Sequence, residues 1–247
     1  STNGGTNWTE VYQNGSNTSL SALGFFNDNT GFATGQGYLV RTTNAGGSWS
    51  NITMTDIIYS SAVISSTNAI ICGGLGQGII QTTTNAGASW SQTIINATNV
   101  LYDVFFLNAS TGFLSGNSGV MYKTTDGGGA WSPLTTGATG PLSAIYFMDV
   151  NTGFVAGSGG SILKTTNGGT SFTTIRATPL VNQSNYDFHF FDVNNGILSG
   201  SGGAFYKTTD GGDSWIMLQS NIVVQLNAVS FIDNNTGFIA GFGGTVQ

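Results

Sequence analysis

An eight-residue motif returns at a nearly fixed interval along this chain, and that interval limits the possible folds more than any other property. The motif reads Thr42-Thr43-Asn44-Ala45-Gly46-Gly47-Ser48-Trp49 in one copy. It recurs around Asn85, Asp126, Asn167 and Asp210, and a further copy around Asn3 opens the chain. The aromatics that close the copies stand at 8, 49, 90, 131, 172 and 215, so the spacings are 41, 41, 41, 41 and 43 residues. Five of the six are Trp; the exception is Phe172. Upstream of each motif lies an apolar stretch, a polar turn and a Gly-Phe-x-x-Gly stretch, as in Phe25 to Gly35, Phe106 to Gly116, Phe147 to Gly157, Phe190 to Gly200 (where Ile197 replaces the Phe) and Phe231 to Gly241. Repeat two deviates, running from Val63 to Gly73 with Ala69-Ile70 in place of Gly-Phe.

Each repeat offers four short strands separated by Gly, Asn and Asp turns, which predicts an antiparallel meander. A four-stranded meander at about 40–45 residues per repeat is a propeller blade, and four to eight such blades close a ring. The sequence therefore predicts an all-β fold: a single six-bladed β-propeller domain over residues 1–247, with blades of four antiparallel strands. A solenoid is the alternative, but the ends favour closure. Val246-Gln247 followed by Ser1-Thr2-Asn3-Gly4-Gly5 matches Leu163-Lys164-Thr165-Thr166-Asn167-Gly168-Gly169. Residues 1–12 are thus expected to complete the last blade in a three-plus-one closure, which removes free sheet edges.

In the recurring turn, an Asn or Asp side chain can accept hydrogen bonds from N–H groups two or three residues ahead, and the glycines supply positive φ. Asn3, Asn44, Asn85, Asp126, Asn167 and Asp210 are therefore expected to be structural. The motif resembles the Asp-box (BNR) turn, Ser/Thr-x-Asp-x-Gly-x-Thr/Ser-Trp, of sialidase-, sortilin- and xyloglucanase-type propellers. Together with Gly-Phe-x-x-Gly and Lys-Thr-Thr-Asp-Gly-Gly, it is most similar to the photosystem II stability/assembly factor-like propellers. The resemblance spans the chain and implies the fold; a fold of this kind does not carry an activity with it.

The charged residues are few enough to sort individually. The chain has 5 basic and 11 acidic residues among 247 and a net charge of −6, the wrong sign for neutralising phosphates, so nucleic acid is not an expected partner. No apolar run approaches the roughly 18 residues of a membrane span, so no membrane insertion is expected. One cysteine, Cys72, excludes an internal disulfide and suits a small buried hydrophobe. Arg41, Lys123, Lys164 and Lys207 share the repeat position before Thr-Thr, leaving only Arg176 elsewhere. The three arginines of sialidases cannot be assembled, and the arginine-rich patch of the assembly factors is missing too.

Most acids fall in turns. The exceptions that share a position are Asp103 and Asp187, on innermost strands where other repeats carry Ala22, Ser60, Ala144 and Ala228. Two carboxylates there could act as an acid/base pair on a glycoside, hold a cation, or serve as hydrogen-bonded channel residues. His189 shares a face with Asp187, but a single histidine makes no usual transition-metal site. No catalytic residue, metal or cofactor is assigned. The candidate binding surface comprises Tyr59, Tyr102, Asp103, Arg176, Tyr186, Asp187 and His189, beside the loops joining one repeat to the next: Asn14 to Ser19, Thr55 to Ser60, Asn96 to Tyr102, Thr136 to Leu142, Ala177 to Tyr186 and Ser220 to Gln225, of which the longest, Ala177 to Tyr186, is the expected site. Once the repeat is subtracted, tyrosines, amides and hydroxyls remain. The leading expectation is a non-enzymatic extracellular, periplasmic or cell-surface scaffold or interaction module for a protein or glycan, capable of homo-oligomer or filament formation. A glycoside hydrolase or lyase using Asp103 and Asp187 is the alternative.

Overall fold

The structure is a computed structural model that describes residues 6–13, 19–178, 184–218, 223–231, 233 and 236–244. The described residues form β-strands and short 3-10 turns with no α-helix. The chain divides into two compact units, Ser1–Thr98 and Asn99–Gln247.

In the first unit, β1 (Leu20–Phe25), β2 (Gly31–Thr42), β3 (Ser50–Val63), β4 (Ala69–Gly73), β5 (Gly78–Thr83) and β6 (Ser91–Asn96) form one antiparallel sheet in chain order. The 14-residue β3 closes repeat one through Ser50–Ile57 and opens repeat two through Ile58–Val63. The second unit begins with a four-stranded meander of β7 (Leu101–Phe106), β8 (Gly112–Gly116), β9 (Met121–Thr124) and β10 (Ser132–Leu134). Two more meanders follow, β11 (Leu142–Phe147) to β14 (Thr173–Thr178) through β12 (Gly153–Gly157) and β13 (Ser161–Thr165), and β15 (Asn185–Phe190) to β18 (Trp215–Met217) through β16 (Gly196–Gly200) and β17 (Phe205–Thr208). Unlike the separate antiparallel blades expected from the repeat, a parallel pairing of β14 with β18, Ala177 with Trp215 and Thr178 with Ile216, joins them into one eight-stranded sheet. The hairpin of β19 (Leu226–Phe231) and β20 (Gly237–Gly241) ends the described strands. The residues expected to join the ends, Ser1–Gly5 and Thr245–Gln247, lie outside the described residues. Residues 6–13 carry no strand, and Tyr12 stacks on Tyr38 at 6.2 Å.

The Gly-Phe signature has a steric cause. The aromatic ending each inner strand pairs directly with the glycine opening the next: Phe25 with Gly31, Phe106 with Gly112, Phe147 with Gly153, Phe190 with Gly196 and Phe231 with Gly237. A Cβ at Gly153 would lie 2.5 Å from the Phe147 ring, so the ring lies flat only over a residue without a side chain. Repeat two changes both partners together, pairing Val63 with Ala69. Its departure from the pattern is thus a compensated swap.

The recurring turn makes one network in every described copy. The Thr42 hydroxyl donates to Asn44 Oδ1 at 3.0 Å and accepts the Gly46 N–H at 2.9 Å, while Asn44 Oδ1 also accepts the Ser48 N–H at 2.8 Å. Thr83/Asn85, Thr124/Asp126, Thr165/Asn167 and Thr208/Asp210 repeat it. The side chain thus reaches four residues ahead rather than two or three, because the threonine hydroxyl caps the nearer amide. Hydrogen bonds from Ser214 hold the Asp210 carboxyl down to about 2, and that from the Ala130 N–H holds Asp126 below the usual range. Asn3 lies outside the described residues.

The fourth motif residue must take positive φ, and in two copies it is alanine, Ala45 at +57° and Ala86 at +53°. An L-residue there costs roughly 1–2 kcal/mol, partly offset by the backbone freedom glycine adds to the unfolded chain. Ala45→Gly with Ala86→Gly should therefore raise the stability by about 0.5–1 kcal/mol per site and the thermal midpoint with it; differential scanning calorimetry measures it.

Candidate functional site: inner strands and linker face

Every inner strand slips register by one residue where it begins to pair with the next strand. The bulged residues are Ser21, Tyr59, Tyr102, Ser143, Tyr186 and Asn227. The three tyrosines of the expected binding surface are thus one structural position, the bulge, where pairing is interrupted and a side chain is re-aimed. Tyr59, in the first unit, is exposed; Tyr102 and Tyr186, in the second, are partly buried.

Asp103 and Asp187 follow the bulge and act identically. Asp103 Oδ1 accepts the N–H of its neighbour Val104 at 2.8 Å, and Oδ2 accepts the N–H of Ile145 on β11 at 2.7 Å. Asp187 Oδ2 accepts the N–H of Val229 on β19 at 2.8 Å, and its carboxylate also bonds the Phe188 N–H. The partners stand one repeat on, at the same position, directly after Ala144 and Ala228. The small alanines leave room for the incoming carboxylate. One aspartate therefore ties two successive inner strands, serving four equivalent N–H groups with two side chains. Burial, reinforced by repulsion from Asp103, pushes the Asp187 carboxyl up to about 7 against the two N–H groups that favour its anion.

The basic residues tie repeats at the turn end. Arg41 Nε donates to the Ala86 carbonyl at 2.7 Å, Lys123 Nζ to Gly168 at 2.9 Å and Lys164 Nζ to Gly211 at 2.7 Å, each reaching the fourth motif residue of the following repeat. Lys164 also pairs with Asp213 at 2.7 Å. His189 packs against Phe191 and Phe231, with ring centroids 5.0 and 5.1 Å away, and burial lowers its proton affinity. Arg176 lies on β14, paired through its backbone with Ser161. Cys72 is buried in the first unit. Among the described residues no three His, Cys, Asp or Glu side chains gather as a metal site.

The box turns dock on the β1–β2-type turns, as when the Gly168 N–H bonds the Asn151 carbonyl at 2.8 Å. At the opposite end, linkers meet the short turns between second and third strands, as when the Ser158 N–H bonds the Pro141 carbonyl at 3.0 Å. On this linker end of the second unit lies a cavity of about 530 Å³ under the 136–142 linker, with Ser158, Ser161, Leu163, Phe172 and Thr174 completing its wall. Two local causes open it. Outer strand β10 is only 3 residues long and contains Pro133, which has no N–H, so the chain leaves the sheet early. And Phe172 presents a phenyl ring where the five other copies present an indole. The linker is pinned: the Thr136 hydroxyl donates to the Gly119 carbonyl at 2.8 Å and accepts the Ala138 N–H at 3.2 Å. Sequence alone marked this linker as one of six and favoured the longest, Ala177 to Tyr186, of which residues 179–183 lie outside the described residues; the signals that could have ranked 136–142 first were Pro133 and Phe172.

Comparison with known proteins identifies the type of fold. Solved structures similar to the chain include YCF48 bound to D1 peptide (TM-score 0.60, 18% identity, 93% of this chain and 90% of that one) and YCF48 from Cyanidioschyzon merolae (TM-score 0.58, 16% identity, 93% and 94%). An ancestral GH74 enzyme aligns with TM-score 0.72 at 15% identity over 92% of this chain, which spans only 35% of that one. Residues 82–181 match the family model described as Photosynthesis system II assembly factor YCF48. The chain is a BNR-like β-propeller that resembles the photosystem II assembly factor. No curated protein sequence matches it. Within this propeller the ties described above join blade to blade: aspartates along the inner strands, lysines and arginine at the Asp-box end.

Proposed function

We propose that this propeller is a non-catalytic interaction module that binds a segment of another polypeptide through its linker face. One observation carries the reading: the charged groups that could do chemistry are committed to the framework. Asp103 and Asp187 are taken up by backbone N–H groups of neighbouring blades, and Arg41, Lys123 and Lys164 by box carbonyls. The linker end offers tyrosines at the bulges and hydroxyls on the loops, and the cavity under the 136–142 linker is lined by uncharged residues alone. The resemblance to YCF48, solved with a D1 peptide, supports a polypeptide partner over a glycan. We further propose the finer architecture read from the repeat: one domain of six blades, its last blade completed by the N-terminal residues. The scarcity of lysine and the abundance of Thr, Asn and Gly support a place outside the cytoplasm, at the cell surface or in the periplasm.

The test sets two ligand classes side by side. The immobilised protein is panned against phage-displayed random dodecapeptides, and the labelled protein is applied to a glycan array. Enrichment of a peptide family with no glycan signal is the expected result; glycan binding without peptide enrichment would sink the proposal.

A further inference from the structure

The geometry points to the cavity beneath the 136–142 linker as an anchor pocket for an aromatic side chain of an uncharged peptide segment, an assignment that rests on the peptide-binding reading above. At about 530 Å³ the cavity falls within the range of ligand sites, about 300–1,000 Å³, and is far larger than the gaps of a packed interior. Its apolar part is supplied by Leu142 and Leu163, which are almost fully buried, and by the partly buried Phe172. Thr139, Ser158, Ser161 and Thr174 supply hydroxyls around them. No lining residue carries a charge, so a lysine or carboxylate entering it would lose water without gaining a partner. An aromatic ring suits it for a reason internal to the fold. At the neighbouring seam the protein's own Trp215 fills the space between blades, packing on Phe154 at 6.4 Å and Phe188 at 5.8 Å. At the cavity seam the box supplies only the Phe172 ring, which joins Leu134, Ala138 and Phe113 in the local core. A partner's ring would take up the space that Phe172 leaves, while the hydroxyls pair with the amides on either side of it.

The test uses dodecapeptides selected on the wild-type protein, fluorescein-labelled and titrated by anisotropy against wild type, Phe172→Trp and Thr174→Trp. Phe172→Trp restores the residue of the other boxes and reduces the space; Thr174→Trp blocks it from an exposed strand position. Each is expected to weaken binding at least tenfold, with a thermal midpoint equal to or above wild type for Phe172→Trp. The selected sequences are expected to share one aromatic residue, whose replacement by alanine abolishes binding. Should Phe172→Trp fail to fold, Thr174→Trp decides alone. Peptides that bind both variants as tightly as wild type, or that lack an aromatic, overturn the pocket while leaving the peptide-binding reading intact. A selection that enriches nothing overturns both.

Discussion

Replacing Trp215 with alanine is expected to destabilise the protein by about 3–5 kcal/mol, the cost of removing a fully buried indole from a core that cannot collapse around the gap. Trp215 is 0% exposed. It meets Phe190 edge-on at 5.7 Å within its own blade and Phe154 at 6.4 Å in the preceding one, so the loss strikes a blade and a seam together. For a chain of this length that is a fall in thermal midpoint on the order of 10 °C. Val193, on the turn between β15 and β16 and 70% exposed, supplies the contrast: Val193→Ala should leave the midpoint within about 1–2 °C. Thermal melts of the two variants beside wild type make the measurement. Equal losses would mean that the box aromatic is not what holds the blades together.

The second large effect concerns Asp187. Alanine there strands the N–H groups of Val229 and Phe188 without an acceptor, at about 1–3 kcal/mol for each buried group. Asparagine keeps an acceptor oxygen and removes the charge, so Asp187→Asn should be close to neutral. The pH response separates the two further. An unfolded carboxyl titrates near 3.9, whereas that of Asp187 is raised to about 7 in the fold. Between those values the folded protein holds a proton that the unfolded chain has released, so stability falls as pH rises from about 4 to about 7. His189 works against this: its lowered proton affinity removes stability as pH falls below about 6.5. Comparison with Asp187→Asn isolates the carboxyl. Relative to that variant, wild type should lose stability between pH 5 and pH 8, and the Val229 amide proton shift should titrate with a midpoint near 7. A Val229 amide indifferent to pH, or an asparagine variant as unstable as alanine, would remove the tie between blades.

Local periodicity made the framework legible from sequence, because the box, the aromatic-glycine pair and the four strands each lie within one repeat. The shared position of Arg41, Lys123 and Lys164 was legible too, but not what they hold, since each partner is a backbone carbonyl 45 to 47 residues away. Asp103 and Asp187 show the same limit. Their departure from the repeat was plain, and residue type favoured hydrogen-bonded structural residues without removing catalysis. The deciding contacts are main-chain N–H groups 42 residues on, and a backbone donor leaves no mark in a sequence. What could have been read is the pairing of each Asp with an Ala one repeat later, which makes room for the carboxylate. The cavity was less visible still, since its causes, Pro133 and Phe172, are single deviations that matter only once the two are seen to line the same seam.

The account stands or falls on whether those carboxylates do structural work or chemistry. The most direct measurement takes wild type and the Asp103→Asn/Asp187→Asn double variant through a panel of soluble polysaccharides for reducing-end release, with thermal midpoints recorded at pH 8. The account predicts no turnover by either protein and a double variant that melts at or above wild type. Turnover by wild type that the double variant has lost, in a protein still folded, would contradict it.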